Sequence, residues 1–268
     1  DWNFILDADE YLLQGGDYLL SLADMPANFI GAISVDSDYE AQNQRHHVRN
    51  WLNRLLPKHI RFSGRVHEQP VHDLAVKKVP ILCGHDGYLP AQHALKKGRN
   101  ETLLEIELNQ SNDDPYLYYQ LGKEKEVHQD YEQAVLCYRK ALSLYMTPLE
   151  GWHRDLLCRI IYCLKQIKDF ESALHLATEW EKLFDLIPDY HFVMGDLYLD
   201  MALTYPTEAE KILPHIETHW LRCLEIGERP DIDGCVIGRG SILAARNLYA
   251  FYHSLGLDDK AARYKDMV

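Results

Sequence analysis

A helix-pair pattern in the second half of the chain constrains the fold more than any other feature. From residue 116 to residue 147 the sequence reads YLYYQLGKEKEVHQDYEQAVLCYRKALSLYMT. Small residues at Gly122, Ala134 and Ala141 would let two antiparallel helices approach closely, and aromatic residues would fill the groove between them. The helical period continues along the chain, so we predict an all-α region over residues 98–268.

This stretch matches the signature of tetratricopeptide repeats, which is W-x2-L-G-x2-Y followed by A-x3-F. Tyr118 stands in place of the Trp, and Leu121-Gly122 fit the pattern. Lys125 occupies a position where Tyr is usual, while Ala134 and Tyr138 keep the A-x3-F spacing. The chain is therefore similar to tetratricopeptide repeat proteins over this stretch.

The pattern returns further along the chain. DYEQAV at residues 130–135 is echoed by DFESAL at 169–174, thirty-nine residues later. Weaker echoes lie at 189–198 and 244–261. Because one helix pair cannot bury its apolar face alone, such units stack on one another. We predict a tetratricopeptide-like solenoid of three to four helix pairs.

The first part of the chain follows a different pattern. It alternates runs typical of β-strands with one short helix, which we predict at residues 17–23. The strand-like runs are residues 29–35, 48–56, 59–62 and 78–83. Mixed strands and helices of this kind predict an α/β sheet domain, which we assign to residues 1–97.

The opening stretch DWNFILDADEYL carries the chemically most informative residues. Asp7, Asp9 and Glu10 leave a predicted hydrophobic strand, and the carboxyl ends of such strands are where α/β sheets bind ligands. Two carboxylates one residue apart can share a divalent cation that also binds diphosphate oxygens. Taken alone, the D-x-D pattern is equally compatible with an ordinary surface turn, because such turns are rich in Asp.

Three further stretches follow the opening one: NRLLPKHIRFSGRVHEQP, ILCGHDGYL and KKGRNETLLEIELNQSNDDPYLYYQLGKEK. With these four stretches in order, the chain resembles the family 2 glycosyltransferases of the GT-A fold, in a bacterial group that continues into tetratricopeptide repeats. The match covers most of residues 1–122, with Leu56 where the family often has Phe. It implies that residues 1–97 are the C-terminal part of a GT-A-like domain, a partial mixed sheet lacking the N-terminal nucleotide-binding half.

The resemblance also implies roles for individual residues. A divalent metal, Mn²⁺ or Mg²⁺, would be held by Asp7, Asp9 and His85. Glu68 would be the general base on the acceptor hydroxyl. The nucleotide-sugar donor, such as a UDP-sugar, would be bound by the acids of the opening stretch and two arginines: Asp7, Asp9, Glu10, Arg54 and Arg65.

These roles imply a metal-dependent inverting glycosyltransferase that acts on a protein, peptide or glycan acceptor. Because the donor-binding half is missing, we expect this polypeptide alone to be weak or inactive. The alternative is a tetratricopeptide scaffold without catalytic activity that binds a protein or peptide. A phosphate-transferring enzyme using the same acids has less support, because no glycine-rich phosphate loop accompanies them.

Composition limits the possible binding partners and the cellular compartment of the protein. A formal charge of −13 over 268 residues argues against nucleic acid or anionic membrane as a partner. No apolar run approaches the roughly 20 residues of a transmembrane helix. The six cysteines form no C-x-x-C pair, which favours buried thiols in a reducing cytoplasm over disulfides. The sheet edge left by missing strands could be covered by self-association.

Overall fold

The chain forms two compact units that differ in secondary structure. The first comprises Asp1–Leu121 with Ile232–Gly234, and the second comprises Gly122–Asp231 with Cys235–Val268. The structure, a computed structural model, describes residues 1–41, 44–85, 98–110, 114–144 and 151–267.

The domain boundary predicted at residue 97 lies outside the described residues, as does the part of the ILCGHDGYL stretch that follows His85. The change from strands to helices is nevertheless visible in the first unit, where a helix begins at Arg99. The two compact units divide later, between Leu121 and Gly122, inside a helix. The boundary between sheet and repeat domains therefore stays a prediction.

A mixed β-sheet forms the centre of the first unit. Its strands and the strands of a separate small hairpin are β1 (Trp2–Phe4), β2 (Glu10–Gln14), β3 (Ile30–Ala41), β4 (Gln44–Pro57), β5 (Phe62–Ser63), β6 (Gln69–Pro70) and β7 (Val76–His85). The main sheet has the order β1-β4-β3-β7-β2, and β5 pairs with β6. Strands β3 and β7 are parallel, whereas the other neighbours on this path are antiparallel.

Three of the four predicted strand runs correspond to β3, β4 and β7, and only Phe29 of these runs lies outside its strand. The prediction at residues 59–62 is wrong, because a turn closed by the bond from Ile60 N to Pro57 O (3.0 Å) precedes the short strand Phe62–Ser63. The predicted short helix is present as α1 (Gly16–Ser21). Its Tyr18 and Leu19 pack on the sheet against the buried core, where each fully buried aliphatic side chain contributes about 1.5–3 kcal/mol.

The remaining chain is predominantly helical, as predicted. The helices are α2 (Arg99–Leu108), α3 (Pro115–Val127), α4 (Tyr131–Leu144), α5 (Gly151–Gln166), α6 (Phe170–Glu179), α7 (Glu181–Phe184), α8 (Pro188–Thr204), α9 (Ala209–Ile226), α10 (Ile242–Ser254) and α11 (Asp258–Ala262). The pairs α3–α4, α5–α6, α8–α9 and α10–α11 follow the repeat pattern. The chain therefore contains a tetratricopeptide-like array.

Glycine allows close packing within two of these pairs. A Cβ atom at Gly122 in α3 would lie 2.3 Å from the ring of Tyr138 in α4. A Cβ atom at Gly195 in α8 would lie 2.3 Å from Nε1 of Trp220 in α9. Both rings are buried. Each ring thus occupies the space that a side chain on the facing helix would need, as the spacing of small and aromatic residues predicts.

The turns that end the first helices share one backbone geometry. Gln129, Lys168 and Gly256 each adopt a positive φ, between 60° and 70°, which is the left-handed C′ conformation of a Schellman motif. In each turn the next N–H donates to a carbonyl five residues back at 2.9–3.0 Å: Asp130 to Lys125, Asp169 to Leu164 and Leu257 to Tyr252. The α8–α9 connection differs, since a short 3-10 helix at Pro206–Glu208 follows α8.

Candidate functional site

The first candidate site is the opening turn, residues 7–10, between β1 and β2. The N–H of Asp7 donates to Oε2 of Glu10 at 3.0 Å, and the N–H of Glu10 donates to the carbonyl of Asp7 at 3.0 Å. These reciprocal bonds fix the turn and hold its two outer carboxylates near each other.

Arg54 neutralises both of those carboxylates. Its Nη2 donates to Oε1 of Glu10 at 2.9 Å and also to Oδ2 of Asp7. The pairing of β1 with β4 explains the position, because Ile5 N bonds to Arg54 O at the end of β1. The Glu10 side chain is 3% exposed and the Asp7 side chain is 59% exposed, so the guanidinium covers one acid while the other remains open to solvent.

His85 reaches the same turn from β7. Glu10 pairs directly with His85 in the β2–β7 register. His85 Nε2 lies 3.4 Å from Oδ2 of Asp9, and His85 Nδ1 lies 3.3 Å from Oγ of Ser37. The structure therefore brings together five predicted site residues from three strands and a turn: Asp7, Asp9, Glu10, Arg54 and His85.

A divalent metal does not fit this arrangement as it stands. Mg²⁺ and Mn²⁺ need several oxygen ligands free to coordinate them, yet Asp7 is engaged by Arg54. Within the described ranges, no three or more His, Cys, Asp or Glu side chains are grouped so that they could hold a metal ion. The metal at Asp7, Asp9 and His85 and the nucleotide-sugar stay predictions.

Arg65 and Glu68 lie on a different element, the β5–β6 hairpin, and both are exposed. The N–H of Arg65 donates to Oε2 of Glu107 in α2 at 3.1 Å. His67, next to Glu68, has a φ of 53°, which is unusual for a residue other than glycine. The roles of Glu68 as a base and of Arg65 at a phosphate stay predictions.

The second candidate site is the first-helix face, the side of the repeat array formed by α3, α5, α8 and α10. Polar side chains bridge each neighbouring pair of these helices. Arg159 of α5 donates to Glu126 of α3 at 2.8 Å. The other two bridges are Lys165 of α5 to Asp200 of α8 at 3.4 Å and Asn247 of α10 to Asp196 of α8 at 3.3 Å.

Two carboxylates of α8 have raised pKa values: Asp189 is buried, and Asp196 is half-buried. Burial raises the pKa of Asp196 to about 6, although the charges of Lys165 and Arg239 act in the opposite direction. Burial likewise raises the pKa of Asp189, which receives bonds from Arg239 Nη1 (2.9 Å) and Val236 N (3.0 Å). Perturbed carboxylates of this kind concentrate at functional sites, although structural networks also produce them.

Sequence reasoning did not single out these residues of α8. The signal that could have found them is the position of Asp189 and Asp196, seven residues apart in an otherwise mainly apolar helix. Positions seven apart lie on one side of a helix, so both acids had to face the same neighbours. Arg239 could not have been found this way, because its contact depends on the chain that returns after α9.

Comparison with solved structures finds neighbours of low sequence identity that cover 65–66% of this chain. No family model matches the chain, and no curated protein matches it. A crystal structure of MamA is 16% identical, with a TM-score of 0.46 over 65% of this chain and 90% of that chain. A MamA chain from Desulfovibrio magneticus RS-1 is 17% identical, with a TM-score of 0.47 over 66% of this chain and 87% of that chain. YrrB, described as a TPR protein with an unusual peptide-binding site, is 18% identical, with a TM-score of 0.44 over 65% of this chain and 77% of that chain.

The identification as a family 2 glycosyltransferase is wrong. The solved structures named above include a TPR protein and no glycosyltransferase. The predicted transferase activity is therefore also wrong, and so is the interpretation of the opening acids as a transferase D-x-D motif. The proximity of His85 to Asp9 does not support the glycosyltransferase identification, because a histidine beside an aspartate on paired strands is also an ordinary ion pair or hydrogen bond.

Proposed function

We propose that this protein is a non-enzymatic binding module whose helical repeats hold an extended segment of a partner protein on the first-helix face. Repeat arrays use the surface lined by successive equivalent helices in this way. The observation that carries the proposal is the row of polar bridges that joins α3, α5, α8 and α10 on one side.

The packing of the helices behind that row leaves the first-helix face available to a ligand. The second helices are engaged from the other side, where Tyr138 and Trp220 fill the spaces beside Gly122 and Gly195. The polar groups on the first helices are only partly enclosed, and the side chain of Asp200 is 41% exposed. A partner segment could therefore exchange hydrogen bonds with groups that are already held in place, which lowers the cost of ordering them.

We also propose that the protein works in a reducing cytoplasm. Within the described ranges, no helix combines the length and the apolar character that crossing a membrane requires. Cys158, Cys163 and Cys223 are buried free thiols, and burial raises the pKa of each. Such inert thiols agree with a reducing cytoplasm. Self-association stays a prediction.

Selection of peptides from a random displayed library tests the binding function. Selected peptides should bind the wild type, and Asp200→Lys should weaken them by at least about tenfold, because it reverses a charge on the first-helix face. Glu210→Lys is the matched control, since it reverses an exposed acid on α9. Failure to select any peptide, or equal loss in both variants with unchanged circular dichroism, would overturn the proposal.

A further inference from the structure

The segment that follows α9 places an arginine on the first-helix face. Arg239 Nη1 donates to Oδ1 of Asp189 at 2.9 Å, and its guanidinium lies over the ring of Phe192, 5.1 Å from the centroid. Asp189, Phe192 and Asp196 are three and seven residues apart in α8, so they share one side of the helix. Arg239 thus occupies an acidic and aromatic position on the proposed binding surface.

The backbone beside Arg239 is held by hydrogen bonds that do not involve the Arg239 side chain. Glu228 Oε1 accepts a bond from Gly238 N at 3.0 Å and another from Ser241 Oγ at 2.6 Å. Val236 N donates to Asp189 at 3.0 Å. The Arg239 side chain could therefore leave the Phe192 ring without unfolding the segment that carries it, and at 21% exposure it can be reached from solvent.

Asp189 retains bonding capacity. The residue is 6% exposed. Its Oδ2 atom is buried and has no hydrogen-bond partner among the described residues. A buried carboxylate oxygen without a partner is costly, whereas a guanidinium that approaches in the plane of the carboxylate can bond both oxygens. Arg239, fixed by its backbone, bonds Asp189 through Oδ1, so an arginine arriving on a separate chain could satisfy the group more completely.

We propose that Asp189 and Phe192 form a recognition site for an arginine side chain of the partner segment, and that Arg239 fills this site when no partner is bound. The inference rests on the proposed function and names the chemistry of the partner. Arginine fits better than lysine, because only the planar guanidinium both stacks on a ring and forks onto a carboxylate. Asp155 and Asp200 are already paired with Arg159 and Lys165, so the choice of an arginine rests on Asp189 and Phe192.

Chemical rescue tests the site itself. Arg239→Ala should lower the melting temperature, and ethylguanidinium, which is the arginine side-chain head, should restore it in a saturable way. Ethylammonium at the same concentration should restore less. Arg229→Ala is the matched control, because Arg229 lies in the same segment but pairs with Asp231. Equal responses to both cations, or an equal response in the control, would overturn the proposal. If Arg239→Ala does not fold, Arg239→Gln is measured in the same way.

Competition tests the link to a partner. A labelled short peptide alternating arginine with serine should bind Arg239→Ala at least about tenfold more tightly than the wild type, because the wild-type Arg239 competes for the site. The glutamate counterpart should not bind, and Asp189→Asn in the Arg239→Ala background should abolish the gain. Affinity that is unchanged by Arg239→Ala would refute the arginine site. Selected peptides that bind the first-helix face without arginine would leave the proposed function intact.

Discussion

Two of the aspartate–arginine pairs in the chain look alike in composition and differ in environment. In the opening turn, Arg54 faces Asp7, whose side chain is 59% exposed. In the repeat array, Arg239 faces Asp189, whose side chain is 8% exposed. Water screens the first pair, so it contributes little to stability. The second pair is desolvated, so each partner depends on the other. Residue type alone did not indicate which pair mattered.

The largest expected effect comes from breaking the buried pair. Asp189→Ala leaves the Arg239 guanidinium and the Val236 N–H without their shared acceptor, which should lower the free energy of unfolding by about 3–5 kcal/mol. Urea denaturation of the whole chain measures it. A loss below about 1 kcal/mol would show that the pair is as weakly coupled as the exposed one.

The second prediction concerns how the stability of the protein depends on pH through the half-buried Asp196. The unfolded chain releases the proton of Asp196 near its ordinary pKa, about 3.9, whereas the folded protein holds it until about 6. The folded state therefore loses stability as pH rises from about 4 through 6, by roughly 3 kcal/mol in all. Asp196→Asn should remove this loss.

Burial lowers the pKa of His153 and His219 to about 4, which gives an opposite slope as pH falls below about 6.5. The quantity to compare is therefore the difference between Asp196→Asn and the wild type in urea denaturation from pH 4 to pH 7. Asp200→Asn, at a 41% exposed side chain, is the control. Parallel stability curves for Asp196→Asn and the wild type would contradict the assignment.

The third prediction tests whether the packing of α8 against α9 creates the environment that raises the pKa of Asp196. Gly195→Ala places a methyl group against Trp220. The overpacking should cost about 1–3 kcal/mol, less a gain of up to about 1 kcal/mol in helix propensity. We also expect the pKa of Asp196 to fall toward its ordinary value as α8 and α9 separate. Gly16→Ala is the control, since nothing lies within 4 Å of its Cβ position. Equal unfolding free energies for the two variants would disprove the packing argument.

The smallest effect is expected at the opening turn. Asp7→Asn removes one charge from a pair in which Glu10 still holds Arg54, so stability should change by about 0–1 kcal/mol. Thermal melting in low and high salt measures it, and any difference should shrink as salt rises. A large loss that persists in high salt would place the opening turn in the same class as the buried pair.

The sequence by itself determined the repeat array, because its signals are local. Gly122 and Tyr138 are sixteen residues apart, and the turn conformation at Gln129 between them is set by neighbouring backbone bonds. The strands β3, β4 and β7 were equally recognisable, since β-branched and apolar runs need no distant partner to be identified. The order and register of these strands in the sheet could not be predicted from the sequence.

Only the tertiary structure decided what neutralises each carboxylate. Arg54 reaches Asp7 through the β1–β4 pairing, and His85 reaches Asp9 through the β2–β7 register. Arg239 reaches Asp189 from fifty residues away. The charge state and the availability of an acid depend on desolvation and on the nearest counter-charge. Both depend on contacts between residues distant in sequence, so a three-residue acidic motif could not define the function.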